Sequence, residues 1–267
     1  VAGGSGGYKT GSSYRLMLRF PTIVVDKFFS DPDVVREYGL SLNYFPTAGN
    51  YPGKRSKNLT EVNKKFANEV LRKIFSLYWE DTSKIRSGFC SLFFQKIPPF
   101  SENETDFRNL GWIHRDSVRE RNKLAGVLYL TPDARLESGT TVYKIKKELE
   151  DSPFDPVAQK KVRESKNFLF TEKDESFTKD GLETIKTNMK EWNSCFEAVT
   201  QVSNVYNRSI AFDGNEWHGA NNYYTGEQER LTIVYFIDNV KGATLPKDRV
   251  VKDNLTEIIN ATTKATI

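Results

Sequence analysis

Beyond Gly88 the apolar residues come either at every second position or in short unbroken runs. Segments 88–96, 112–116, 124–130, 140–144, 198–205, 208–212 and 230–237 share this character and are rich in Phe, Val, Ile, Leu and Tyr. Side chains of an extended backbone alternate between two faces, so these segments predict β-strands. A series of short strands predicts a mainly β protein with flanking helices, its core a barrel or a double-sheet jelly roll. The N-terminal part reads differently. Residues 15–29 suggest strands interrupted at Pro21, and Ser30-Asp31-Pro32-Asp33 supplies a cap and a first-turn proline for a helix over 32–42. Thr60-Glu61-Val62-Asn63 resembles a capping box, and Val62, Phe66, Val70, Ile74 and Leu77 follow at helical spacing, predicting a helix laid against a sheet. Residues 45–57, with Pro46, Gly49, Pro52 and Gly53, read as a loop, in which Tyr51-Pro52-Gly53-Lys54-Arg55-Ser56 could line a site mouth or form a surface loop anchored by a packed tyrosine.

Two segments stand outside this pattern. Residues 1–13 are Gly/Ser-rich and read as a flexible tail or linker, leaving 14–267 as a single domain. Within it, residues 144–190 are highly charged and partly helical, an expected insertion on the rim of the sheets.

Charge and cysteine content narrow the function classes. Lys+Arg number 39 against 35 Asp+Glu, and the net charge of +4 is spread along the chain, which argues against a nucleic-acid partner. No apolar run is long enough for a membrane span and the first residues lack the layout of a secretory signal. Cys90 and Cys195 sit in unrelated contexts without CxxC spacing, so a soluble protein of the reducing cytoplasm is expected.

The chain has only two histidines, His114 in Trp-Ile-His-Arg-Asp and His218 in Asn-Glu-Trp-His-Gly. On a strand, His114 and Asp116 point to one face while Arg115 points away. With His218 as the third donor they compose a 2-His-1-carboxylate triad, the ligand set of non-haem Fe(II) oxygenases. Arg230 opens the apolar run 230–237, twelve residues after His218. Pointing inward it needs an anion, because a buried unpaired charge is costly, and Thr232 on the same strand face could add a hydrogen bond. A dicarboxylate cosubstrate would supply that anion.

In these features the chain resembles the Fe(II)- and 2-oxoglutarate-dependent dioxygenases, whose core is a double-stranded β-helix of the cupin-like, jelly-roll kind. Their pattern of H-x-D, a distal His and a basic residue about a dozen positions on is matched by His114, Asp116, His218 and Arg230. Leu128-Tyr129-Leu130-Thr131-Pro132 and Ser138-Gly139-Thr140-Thr141-Val142-Tyr143 resemble segments of the prolyl 4-hydroxylase-like branch, where Thr141 matches a threonine that touches 2-oxoglutarate; Ser138 departs from that branch's first glycine. Arg230 with Thr232 has the R-x-S/T form of other branches, so the resemblance carries the reaction class and not the prolyl substrate. The position of the second arginine typical of nucleic-acid dealkylation is Phe236. Residues 20–30 and Asn50-Tyr51-Pro52-Gly53 are similar to an uncharacterised bacterial and phage group.

The resemblance implies Fe(II) held by His114, Asp116 and His218, with 2-oxoglutarate and O2 as cosubstrates and Arg230, Thr232 and Thr141 around the former. C–H hydroxylation of an unidentified peptide or small molecule would release succinate and CO2. Retention of Asp116 points away from halogenation, since halogenating relatives lack this carboxylate. Trp112 and Trp217 flank the ligands as wall or core aromatics, the hydroxyls of Tyr129 and Tyr143 could reach the cosubstrate or satisfy the backbone, and Asp213 and Glu216 are candidates for orienting His218. A zinc hydrolase using the same triad, or a non-catalytic jelly roll, are the rival classes.

Overall fold

The computed structural model describes residues 20–46, 51–116, 123–149, 179–226 and 228–242. The N-terminal tail and most of the charged insertion lie outside them. Among the described residues there are ten strands: β1 Ile23–Val25, β2 Phe45–Pro46, β3 Lys54–Arg55, β4 Phe89–Ile97, β5 Lys123–Tyr129, β6 Thr140–Ile145, β7 Phe196–Val202, β8 Ser209–Asp213, β9 Trp217–Ala220 and β10 Arg230–Asp238. A seven-stranded antiparallel sheet runs β1-β8-β5-β10-β4-β3-β2 and a three-stranded one runs β7-β6-β9. Isolated bridges Leu110–Asn222 and His114–His218 lay residues 110–114 along the free edge of β9.

From β4 onward the chain alternates between the sheets. It passes from β4 to the 110–114 edge, back to β5, across to β6 and β7, back to β8, across to β9 and back to β10. This winding is a double-stranded β-helix, as expected. Its interior is small: Ala125 and Tyr129 of β5, Ile210 and Phe212 of β8, Val142 of β6 and Val202 of β7 close on one another.

The longest apolar run is buried on both faces. Leu231, Ile233, Tyr235 and Ile237 of β10 point outward beneath the helices, while Arg230, Val234 and Phe236 face the interior. Helix α1, Pro32–Ser41, starts where the sequence predicts, with the Asp31 carboxylate accepting from the Val34 amide at 3.3 Å. The helix expected from Thr60 is in fact two. The Asn58 side chain caps α2, Leu59–Val62, and Asn63 ends it and caps α3, Lys64–Ser76. Ala67, Val70, Leu71 and Ile74 of α3 pack on the large sheet with Leu92 and Phe94 of β4. Each fully buried Leu or Ile stabilises by roughly 1.5–3 kcal/mol.

The segment read as a loop, 45–57, contains β2 and β3, a two-residue hairpin paired to β4 through Lys54–Lys96 and Arg55–Gln95. Its prolines and glycines hid this edge pairing. Helix α4, Lys179–Ser194, begins in the C-terminal part of the charged segment, and its Ile185, Met189 and Trp192 pack with Phe196 and Trp217 on the outside of the small sheet. No helix among the described residues is long and apolar enough to cross a membrane.

Candidate metal centre and cavity

His114 and His218 are direct cross-strand partners. Each donates its amide to the other's carbonyl at 2.9 Å, the reciprocal pairing that puts two opposite side chains on one face. Their ring centroids are 4.5 Å apart. Such close approach needs small neighbours: a Cβ on Gly111 would overlap the Ala220 carbonyl, and one on Gly219 would stand 2.8 Å from the Trp112 oxygen. Asp116 lies two residues past His114, on the same face. Its amide donates to Gly214 O at 3.1 Å and its carbonyl accepts from Lys123 Nζ at 3.2 Å.

One Asp116 oxygen, Oδ1, is 3.8 Å from His114 Nε2 and 3.6 Å from His218 Nε2. The three potential ligand atoms lie within 4.8 Å of one another, and the other carboxylate oxygen is buried without a hydrogen-bond partner. Both imidazoles are oriented alike. His114 Nδ1 is 3.0 Å from Trp112 O and His218 Nδ1 is 2.9 Å from Glu216 O. A carbonyl only accepts, so Nδ1 carries the proton and Nε2 presents its lone pair to the carboxylate. The orienting group is thus the backbone of Glu216. Asp213 serves elsewhere, accepting from the amides of Phe20 and Asn215.

Burial and the neighbouring His218 pull His114 down to about 4, leaving it neutral near pH 7. Burial opposes the charged form of His218 as well, yet Asp116 outweighs it and raises the imidazole's pKa. Burial likewise works against the Asp116 carboxylate, but the two imidazoles hold its pKa below the usual range. Two nitrogen lone pairs and a carboxylate with an orphaned oxygen make a donor set suited to one divalent cation.

The triad opens onto a cavity of about 550 Å³. Ala125, Val127, Phe212 and Val234 give it apolar walls, and Trp112, stacked on His114 at 5.1 Å, forms part of its rim. Trp217 faces the other way, against Trp192 and Phe196. Arg230 also lines the cavity. It is 3% exposed, and its guanidinium lies 5.6 Å from the Tyr129 ring with Nε donating to Ser138 O at 3.2 Å. No carboxylate among the described residues forms an ion pair with it. Thr232, fully buried on the same face of β10, has an Oγ1 without a partner.

A family model for a family of unknown function, DUF6445, matches residues 14–237. The chain is a DUF6445 protein. No curated protein matches it. Among solved structures, this DUF6445 chain is similar to EvdO2 from Micromonospora carbonacea var. aurantiaca, with TM-score 0.47 and 11% identity, covering 85% of this chain and 90% of that one. HygX from Streptomyces hygroscopicus, solved with nickel and 2-oxoglutarate bound, gives 0.43 and 12%, covering 81% and 82%. A Pseudomonas putida prolyl-4-hydroxylase gives 0.39 and 14%, covering 82% and 92%. These likenesses are distant, and what the DUF6445 site can hold follows from its own side chains.

The residues expected at the site are distributed as follows. His114, Asp116 and His218 come together, and Arg230 lines the same cavity. Thr232 is on the face of β10 that carries Arg230 but is fully buried and does not itself line the cavity; Thr141 is turned to Asn221, donating to its Oδ1 at 2.6 Å, and its neighbour Thr140 lines the cavity instead. Thr140 Oγ1 accepts from the Tyr129 hydroxyl at 2.7 Å. The motif departure at Ser138 also has a place: its hydroxyl accepts from Asn204 and donates to Arg135 O, which fixes the carbonyl that Arg230 uses. Sequence reading missed the cavity roles of Arg55 and Gln95. Only the run of basic and aromatic residues in Tyr51-Pro52-Gly53-Lys54-Arg55 signalled the first of them.

Proposed function

We propose that this protein is an Fe(II)- and 2-oxoglutarate-dependent oxygenase that hydroxylates a C–H bond of a small molecule or of an amino-acid or peptidyl side chain. One observation carries the reading: a three-donor metal group and a buried guanidinium without a carboxylate partner share one cavity. The same donors suit Zn(II) in a hydrolase. A hydrolase, however, gives Arg230 and the orphaned Thr232 hydroxyl no purpose, whereas a dicarboxylate satisfies both.

Each residue's part follows from its surroundings. His114, Asp116 and His218 would hold the iron on one side and leave the cavity side open. Arg230, fixed by Ser138 O, would take the distal carboxylate of 2-oxoglutarate in a forked pair, with Thr232 donating a further hydrogen bond. Fe(II), when bound, supplies the redox chemistry that turns 2-oxoglutarate and O2 into succinate, CO2 and an oxidant for the substrate. Val127, Val234 and Phe212 give the cavity apolar walls, which would limit water beside the metal group. Free thiols at Cys90 and Cys195 favour a reducing, cytoplasmic setting.

The test is anaerobic titration of the iron-loaded protein with 2-oxoglutarate. The expected result is the weak visible charge-transfer band of an Fe(II)–2-oxoglutarate chelate, lost in Arg230→Ala at concentrations that saturate the parent protein. Loaded iron with no band would remove the oxygenase reading and leave the zinc hydrolase or a non-catalytic jelly roll.

A further inference from the structure

Besides Arg230, and Arg115 whose guanidinium lies over the Trp217 ring, Arg55 is a further guanidinium lining the cavity, and nothing in the triad or the cosubstrate site employs it. It is half-buried on the edge hairpin, and its guanidinium carbon stands 3.8 Å from the Tyr51 ring centroid, 5.3 Å from Phe236 and 5.4 Å from Phe93. Nε donates to Gln95 Oε1 at 3.2 Å, and Gln95 Nε2 donates in turn to Pro52 O at 2.7 Å, so one strand residue fixes both the arginine and its hairpin. The two terminal nitrogens hydrogen-bond nothing among the described residues, and no carboxylate there forms an ion pair with the group. An arginine that only secures the hairpin would use its fork on a carbonyl or carboxylate. This one is stacked between aromatic rings with its bidentate edge unused.

Its position separates it from the cosubstrate site. Arg230 lies over Tyr129, whose partner on β10 is Thr232; Arg55 lies over Phe236, four residues farther along. That is roughly 13 Å on an extended strand, more than one five-carbon diacid spans. Arg55 is nonetheless close enough to the triad for its charge to act on Asp116 and His114. A ligand held at Arg55 therefore lies within reach of the metal group at a position separate from Arg230.

We infer that Arg55 anchors a carboxylate of the substrate, with Tyr51 and Phe236 packing on the adjoining carbon skeleton, so that the substrate is a small organic acid. That the anion belongs to substrate rather than to some other ligand rests on the oxygenase reading. The anion site itself rests on Arg55.

The experiment sets two ligands against two arginines in the full chain. Metal-free protein is titrated with phenylacetate and with neutral phenylacetamide by ligand-observed NMR, and Ni(II)-loaded protein is titrated with 2-oxoglutarate by calorimetry. Phenylacetate should bind, phenylacetamide at least about tenfold more weakly, and Arg55→Ala should weaken phenylacetate at least about tenfold, as expected for losing a charged hydrogen-bond pair. Arg55→Lys, which keeps charge without the fork, should fall between, and thermal melting checks that both variants fold. Arg230→Ala should leave phenylacetate within about twofold, and Arg55→Ala should leave 2-oxoglutarate within about twofold, on the additivity of separated sites. Phenylacetate that does not bind, binds no better than its amide, or follows Arg230 overturns the assignment. Failure of the parent protein to bind 2-oxoglutarate, with phenylacetate still following Arg55, would overturn the oxygenase reading and leave the anion site standing.

Discussion

Replacing Arg230 by methionine separates a ligand-binding arginine from a structural one, because the two roles predict opposite signs for stability. The side chain is 3% exposed, has one hydrogen bond, to Ser138 O, and lies 5.6 Å from the Tyr129 ring. Losing the hydrogen bond costs about 1 kcal/mol and losing the cation–π contact about 0.5–1 kcal/mol. Against this stands the desolvation of a guanidinium with no anion beside it, a penalty of several kcal/mol that methionine, of similar length and uncharged, removes. The ligand-free variant should therefore be as stable as the parent or up to about 2 kcal/mol more stable, which is a rise of roughly 0–8 °C in Tm for a domain of this size. Affinity for 2-oxoglutarate should fall by about 2–5 kcal/mol, or roughly 30-fold to several thousand-fold, since a buried charged hydrogen-bond partner is gone. Scanning fluorimetry of the metal-free protein and calorimetric titration of the Ni(II)-loaded protein measure the two quantities. A variant that melts well below the parent yet binds 2-oxoglutarate undiminished would refute the reasoning, for Arg230 would then be a structural group.

Three further outcomes follow from the same geometry. Gly219→Ala puts a Cβ 2.8 Å from the Trp112 carbonyl, so the His114 segment must shift; about 1–3 kcal/mol of stability and most of the metal affinity should go, read by urea midpoint and by competition against a metallochromic chelator. Trp192→Phe removes the buried hydrogen bond from Nε1 to Ile113 O, 2.8 Å long, and strands that carbonyl beside His114; a loss of about 1–3 kcal/mol should appear in denaturant unfolding. The hydrogen bond from Arg108 holds the Asp106 carboxyl down to about 2, below its unfolded value, so its contribution is present above about pH 4 and is lost as pH falls through about 2. The difference in urea midpoint between the parent and Asp106→Asn should accordingly shrink across that window, and a gap that stays constant would show that the pair contributes nothing through its charge.

The core was legible because its strands carry their period openly. The runs at 88–96, 124–130, 140–144, 208–212 and 230–237 differ from β4, β5, β6, β8 and β10 only at their ends. The elements that were misread fail for local reasons. Asn63 divides the expected helix because its side chain caps α3, accepting from the Phe66 amide, and its own amide closes α2 on Leu59 O. The hairpin at 45–57 is two residues wide on each side, too short for alternation to show, and is held by pairing to β4 rather than by its own pattern.

The meeting of His114, Asp116 and His218 was legible for a different reason. With only two histidines in the chain and a carboxylate at strand spacing from one of them, few constellations were possible, and the cross-strand pairing of His114 with His218 realises the one expected. Thr141 shows where such reasoning ends. It differs from Thr140 by one residue, and on a strand one residue reverses the face, so similarity to a motif points to the pair while only the register of β6 between β7 and β9 decides which hydroxyl meets the cavity. Arg55 lay further out of reach. Its cavity role depends on a hairpin that joins the sheet about forty residues away in sequence, through Gln95, and on rings from β4 and β10 meeting over one guanidinium. Spacing along the chain encodes donors that share a strand or face each other across a pair of strands. Groups assembled from an edge hairpin and two separate strands, as around Arg55, leave no such trace.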